Sequence, residues 1–538
     1  MAAFHDARVR PANDRPVNPA GAYVLYWAQM VRRLHASHAL DYALNRAREL
    51  KKPLVVYEGL KLNYPWASAR HHVFMLEGMR DNAAAAKALG VAYWPFVETP
   101  ADAGRGLVAR LAADACVVVT DDYPAYIVPA HNRALAAASA VAVHLIDGNS
   151  IVPLSLLGAA VSAAAHLRPR IHTKFAEAWQ HRAAAVPDVP KAAKSKLAAP
   201  FVPWNPKQDI AAFVAALPID QTVPPVPDVP GGSVAGRAVV AEFVGAKLKR
   251  YADGRNEPNE PDRTPSSRLS PYLHYGHVGI QEVAEAVLGG DWTPAEIDPA
   301  SKGKRDGFYT RDPAANGFLD EAITWRDVGY HWHHVRNAEC GTRNADLPNR
   351  TWQAAGEVPL FNFESFDFSP GGDRTLDVVL PAWAQATLRK HAGDRREHLY
   401  SPDEFEAGAT HDDLWNAAHR ELVATGRIHN YLRMLWAKKV LEWSETPAAA
   451  FRTLEHLNNK YALDGRDPNS YTGVLWCFGL FDRPWAPERP VFGSVRFMSS
   501  GNTAKKFDLA GYLAYVRRLP TVEAVRAGRT AIAPGGLF

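Results

Sequence analysis

Tyr23-Val-Leu-Tyr-Trp27 is an unbroken apolar run, and Leu54-Val-Val-Tyr57 is a second. Between them, His38–Leu50 spaces its apolar residues as a helix does. The pattern continues. Val91–Val97, Cys116–Thr120 and Val141–Ile146 read as further buried strands, with a helical Arg70–Leu89 among them. Buried strands separated by helices predict a parallel α/β sheet. No glycine-rich dinucleotide turn follows the first strand, and no P-loop sequence occurs. Both phosphate-binding motifs are therefore disfavoured.

Outward from this half comes a break. Ten of the 40 prolines fall between Pro187 and Pro230, which predicts a connector. Beyond it the spacing turns helical: Val239–Tyr251, Ile280–Leu288, Leu319–Trp332, Ala382–His391, His411–Ala424 and Ile428–Trp443. Thr410 with Asp413 reads as a capping box, and Gly426 as a helix stop. Arg343–Arg374, rich in Pro, Gly, Asn and Phe, reads as a long inserted loop. The final RTAIAPGGLF reads as a loose tail. The expected division is an α/β domain over 1–185, a linker over 186–232, a helical domain over 233–519 and a tail over 520–538.

Composition narrows the class. The 538 residues are 47% hydrophobic and 22% charged, which is globular rather than disordered. No run approaches 18 apolar residues, so a membrane-spanning helix is not expected. A net charge of +4 leaves a nucleic-acid partner to a local basic face. Three distant cysteines, Cys116, Cys340 and Cys477, offer no disulfide framework and too few ligands for an iron–sulfur cluster. His331, His333, His334 and Cys340 match no zinc spacing, so no metal is expected. The N-terminus has no apolar signal core, so a reducing, cytoplasmic setting is expected.

Nine of the 15 tryptophans lie between Trp325 and Trp485. Trp436 and Trp443 are two helical turns apart, about 10 Å along one face. Trp415, on the preceding helix, can continue their line. Such a stripe is ordinarily core. Asn458, Asp464, Asp467 and Asn469 gather amides and carboxylates in a turn between apolar helices, where they must find partners. Asx caps or a heterocycle would both serve. Ser266, Ser267 and Ser270 precede a helical run, which suits either an ordinary N-cap or a phosphate.

Three segments in order carry more than each alone. They are Ser266-Ser-Arg-Leu-Ser-Pro-Tyr-Leu273, then Trp415-Asn-Ala-Ala with Gly426-Arg-Ile-His-Asn-Tyr-Leu-Arg-Met434, then Asp464-Gly-Arg-Asp-Pro-Asn469. Together they resemble the flavin-binding domain of the photolyase/cryptochrome family. Arg70-His-His-Val-Phe-Met-Leu-Glu-Gly78, Leu167-Arg-Pro-Arg-Ile-His172, Arg395-Arg-Glu-His-Leu-Tyr400, Met434-Leu-Trp-Ala-Lys-Lys439 and Arg489-Pro-Val-Phe-Gly493 make the finer resemblance. It is to class II cyclobutane pyrimidine dimer photolyases, from about residue 8 to about residue 515.

The resemblance implies a Rossmann-like α/β domain followed by an all-α domain that holds FAD. It implies that Tyr251, Ser266, Ser267 and Ser270 meet the cofactor's phosphate side. Asn458, Asp464, Asp467 and Asn469 would face its ring system, with Asn458 and Arg433 beside the flavin. Trp415, Trp436 and Trp443 would carry electrons. Glu321, Trp325, Met434 and Trp476 would line a pocket for a flipped dimer, with indole walls for stacking. Lys302, Lys304, Arg305, Arg496, Lys505 and Lys506 are candidates for DNA phosphates, though charge runs are usually solvation. The implied activity is light-driven splitting of pyrimidine dimers in UV-damaged DNA by a monomer. An antenna chromophore, deazaflavin-type or none, goes with the first domain. A blue-light receptor and repair of (6-4) photoproducts are the alternatives. Asn430, Phe481, Thr120-Asp-Asp-Tyr123 and the insertion near 333–375 depart from the class II pattern.

Overall fold

The computed structural model describes residues 6–258, 263–344 and 375–528, the side chains of 339–344 excepted. Its first half is one six-stranded sheet in the order β1-β6-β5-β2-β3-β4. The strands are β1 (Val9–Pro11), β2 (Tyr23–Ala28), β3 (Leu54–Leu60), β4 (Ala92–Val97), β5 (Ala115–Asp121) and β6 (Val143–Ile146). All pairs are parallel except β1 against β6. Every residue of β5 is buried, as a central strand covered on both faces requires. The expected strands thus all form. β1 went unforeseen because three largely exposed residues ending in proline carry no strand pattern, and proline suits a sheet edge.

The order in which strands are added reverses about β2. β3 and β4 lie to one side of it, β5 and β6 to the other. A crevice opens past the carboxyl ends of β2 and β3, the side of such sheets on which ligands bind.

The second half is helical. Four of its helices frame the site: α1 (Asp413–Thr425), α2 (Asn430–Trp443), α3 (Pro447–Tyr461) and α4 (Pro468–Trp476). Gly426 ends α1 in the left-handed conformation at φ 67°. The capping box at Thr410 and Asp413 does not form. Asp412 caps α1 by accepting from the Trp415 N–H at 2.9 Å, while Thr410 bonds Asn416. Two long helical expectations also break up. Val239–Tyr251 divides into the end of an α-helix, a π turn at Phe243–Lys247 and a short 3-10 turn. Leu319–Trp332 becomes a π turn, Asp320–Trp325, that runs on into the helix Arg326–Asn344. The expected loop Arg343–Arg374 therefore begins as helix, and from residue 345 it lies outside the described residues.

The proline-rich stretch is not a bare connector. It holds the helix Ile210–Ala215 and buries Trp204, Val214, Leu217 and Val223 in the main core. Arg70, fully buried, ties the halves together. Its guanidinium donates to the carbonyls of Pro224, Tyr461 and Val423 at 3.0, 2.6 and 2.7 Å. Of the expected tail, Val522–Arg526 is a helix with Val522 and Val525 buried, and 529–538 lie outside the described residues. No described helix is long and apolar enough to cross a membrane.

Candidate functional site

Arg168 begins the construction of the site. Its guanidinium donates twice to the buried carboxylate of Asp320, at 2.7 and 3.0 Å. That pair anchors the π turn, and π turns recur at functional sites because they re-aim side chains. The turn presents Glu321 and Trp325. Glu321 accepts from Arg255 and lies 3.6 Å from Arg305, so two guanidiniums hold one carboxylate. Trp325 is 43% exposed, and it is the only exposed tryptophan among the described residues.

Next to the turn is a basic loop. His172 stacks on Phe308 at 3.5 Å, and its Nδ1 accepts from the Gly303 N–H at 3.0 Å. Burial pulls His172 down to about 3, so the ring stays neutral and keeps that lone pair. Lys302, Lys304 and Arg305 stand exposed on the loop so pinned. Lys505 and Lys506 are also exposed, with Lys506 on the Tyr431 hydroxyl. Arg496 is less free. It bonds Asp482 at 2.9 Å and covers the rings of Trp485 and Trp476 at 4.1 and 5.4 Å. Trp476 ends α4, and Met434 lies on α2; both are half-buried.

The polar turn gathers as its composition requires. Asp464 accepts from both terminal nitrogens of Arg433, the nearest at 3.0 Å. Asn458 is buried and donates to the Ser470 hydroxyl. Asp467 looks elsewhere. One oxygen caps α4 through the Asn469 N–H, and the other accepts from Tyr330 and Tyr123. Asn469 packs against Gly329 of the helix Arg326–Asn344.

Two features fit the implied flavin. The Nε of Arg433 is buried and has no hydrogen-bond partner among the described residues. Arg427 is pulled down to about 10, first by burial and next by the like charge of Arg268. Arg268 lies within the Ser266–Ser270 segment, and both cations also act on the Glu242 carboxylate; a cation pair beside hydroxyls suits an anion such as a pyrophosphate. Tyr251 stands on the same side, packed on Phe318 and Arg255. Arg255, Arg268 and Arg427 were not singled out from the sequence. Their only signal is a cation beside hydroxyl-rich or amide-rich segments.

The tryptophans form one buried cluster. Trp415 stacks on Trp436 with centroids 6.2 Å apart and planes 11° apart. It meets Trp443 edge-on, also at 6.2 Å. Trp415 therefore lies between the other two, not beyond them, because the α1–α2 packing inserts its ring into the seam of α2. Its indole N–H donates to the Trp436 carbonyl at 2.9 Å. Trp443 then reaches half-buried Tyr400 at 5.8 Å and exposed His411 at 4.9 Å. His419, unremarked in the sequence, lies parallel to Trp415 and Trp436 at 5.2 and 6.3 Å. Burial holds it neutral, near pKa 4.

A separate cavity of about 230 Å³ lies at the sheet crevice. Trp27, Arg32, Tyr57 and Tyr126 line it from the sheet half, and His274 and Arg466 from the helical half. The remaining histidines are engaged otherwise. His331 bonds the Gly158 carbonyl at 2.8 Å, and no cluster able to hold a metal ion occurs among the described residues.

No family model matches the chain. It is 30% identical over 520 residues to the deoxyribodipyrimidine photo-lyase of Methanothermobacter thermautotrophicus, covering 96% of this chain and 99% of that protein. It is 31% identical to the protein of the same name from Oryza sativa, over 95% of this chain and 90% of the rice protein. Among solved structures, a class III photolyase from Agrobacterium tumefaciens superposes with a TM-score of 0.58 at 18% identity, over 95% of this chain and 90% of its own. A Synechocystis cryptochrome superposes at 0.56 and 15% identity, over 94% and 91%. The likeness to the archaeal photolyase spans nearly the whole of both proteins, so this chain belongs to the photolyase/cryptochrome family.

Proposed function

We propose that the protein is a light-driven DNA lyase that splits cyclobutane pyrimidine dimers, of the class II type. The observation that carries this reading is Trp325. An exposed indole, alone in that among the described residues and presented by an anchored π turn beside Glu321, suits stacking against an extruded base. Relatives named deoxyribodipyrimidine photo-lyase, matched over nearly their whole length, support it.

Arg268, Arg427 and the three serines would hold the FAD pyrophosphate, and Arg433 with Asn458 would face its ring system. When bound, reduced FAD would supply the light-driven, reversible one-electron chemistry by which the ring opens. The protein's part is positional and electrostatic. Trp325 and Trp476 would wall the lesion, with Met434 beneath. Glu321 would hydrogen-bond its polar edge while Arg255 and Arg305 hold that carboxylate in place. Lys302, Lys304 and Arg305 would take phosphates at the mouth, with Lys505 and Lys506 further along.

Trp436, Trp415 and Trp443 would link the buried flavin to the surface near Tyr400. Short ring-to-ring steps support that role. The cavity at the sheet crevice would take a planar antenna chromophore, deazaflavin-type, between its aromatic walls and Arg32. The protein would act as a monomer. A blue-light receptor could use the same tryptophans, but it would have no use for Trp325 held open beside Glu321. The test is direct. Reduced protein is mixed with dimer-containing DNA and lit with blue light. Restored thymine is the expected result, and its absence overturns the proposal.

A further inference from the structure

Lys438 is fully buried on α2, one helical turn after Met434. Its ammonium donates to the Cys477 carbonyl at 2.7 Å and lies 4.9 Å from the centre of the Trp476 ring. Cys477 is where α4 ends, so this bond fixes the end of the helix that carries Trp476. The neighbouring Lys439 pairs with Glu442 at 2.7 Å. Lys438 instead spends its charge on a neutral carbonyl and an indole. A buried charge so partnered is costly, and a methionine would fill the space without that cost. Trp476 is half-buried while Lys438 is not exposed at all, so the cation stands on the protein side of the ring.

We propose that Lys438 is a positioning residue for repair: it fixes the Trp476 wall and, while protonated, sets a positive charge behind it. The inference rests on reading Trp476 as a wall of the lesion pocket. During repair one electron enters the dimer, two carbon–carbon bonds of its four-membered ring break, and one electron leaves. Lys438 keeps its proton throughout. Its charge favours the lesion while the lesion is negative, without any reorganisation.

Burial pulls Lys438 down to about 8, with the Cys477 thiol and the Asp482 carboxylate opposing the fall and Arg496 adding to it. On its own helix, Lys439 and Glu442 neutralise each other. The charge is therefore lost within a range that repair assays can reach. Chemically reduced protein is assayed on a thymine-dimer oligonucleotide from about pH 6.5 to about 9.5, for yield per absorbed photon and for lesion affinity. In the unsubstituted protein the yield is expected to fall several-fold with a midpoint near 8, while affinity changes by less than about twofold. Lys438→Arg keeps its charge and should hold the yield to the alkaline end. Lys438→Met should be low and flat. A flat profile in the unsubstituted protein overturns the proposal, as does an unchanged profile in the arginine variant. If the methionine variant does not fold, those two profiles still decide. Trp476→Ala tests the wall separately. Lost lesion affinity with normal flavin content upholds the wall, and unchanged affinity removes it together with the role of Lys438.

Discussion

Glu321 sits between two guanidiniums, and that sets what its removal should do. Glu321→Ala takes away the acceptor that faces the lesion and leaves Arg255 and Arg305 without their shared partner. Repair per photon should fall by about tenfold or more. Flavin content should stay normal, because the pyrophosphate cradle is built from other residues. Absorbance of the purified variant and thymine release check both. Trp436→Phe addresses the other function. It should abolish photoreduction of oxidised flavin yet spare repair by chemically reduced protein. Survival of photoreduction would rule out the tryptophan path. At this scale much was legible in the sequence. Trp415, Trp436 and Trp443 do come together. Arg168, His419 and Lys438 were not legible. Arg168 and Lys438 act through partners that folding brings close, Asp320 from 152 residues away and the Cys477 carbonyl, while His419, one turn from Trp415 on the same helix, gains its second ring contact from Trp436.

Elements fail to read cleanly where tertiary contacts override local pattern. The run from Leu319 to Trp332 has ordinary helical spacing, and nothing in it announces a π turn. The buried Arg168–Asp320 pair, from another part of the chain, accompanies the wider turn. In the same way Thr410 and Asp413 satisfy a capping pattern, while Asp412 makes the bond. Where the helix Arg326–Asn344 crosses α4, contact is close enough to demand glycine. A Cβ on Gly329 would lie 2.6 Å from the Asn469 side-chain oxygen and 2.8 Å from the Thr472 hydroxyl. Gly329→Ala must therefore displace the Asn469 and Thr472 side chains and press on the Asn469 backbone, 3.1 Å from that Cβ. Overpacking of this kind costs about 1–3 kcal/mol. A lower urea midpoint with an unchanged slope is the expected outcome. Because α4 carries Trp476, lesion affinity should weaken in the same variant while the tryptophan cluster on α1 and α2 is untouched.

Across the whole molecule, the alternation of buried strands and helices in the first half announced the sheet, and helical spacing announced the second half. What joins the halves was not legible, since it depends on polar groups buried between distant segments. Arg70 is one such group, and Asp327 is another. Asp327 begins the helix Arg326–Asn344, and it accepts from the Ser150 hydroxyl, just past β6, at 2.8 Å. Its second oxygen is buried and has no hydrogen-bond partner among the described residues. Burial pushes its carboxyl up to about 7, against the pull of Arg326. In the unfolded chain it titrates near the ordinary aspartate value, about 3.9. Between these two values the folded state keeps a proton that the unfolded state has released. Stability must therefore fall as pH rises from about 4 to about 7, and the loss is complete above that. At about 1.4 kcal/mol per unit over about three units, the penalty at neutral pH is of order 4 kcal/mol. Asp327→Asn keeps the shape and the bond to Ser150 but cannot ionise. Its melting temperature relative to the unsubstituted protein should rise steadily from about pH 5 to about pH 8. A difference that stays constant with pH would mean that Asp327 is ionised in both states, with Arg326 and Arg8 outweighing its burial.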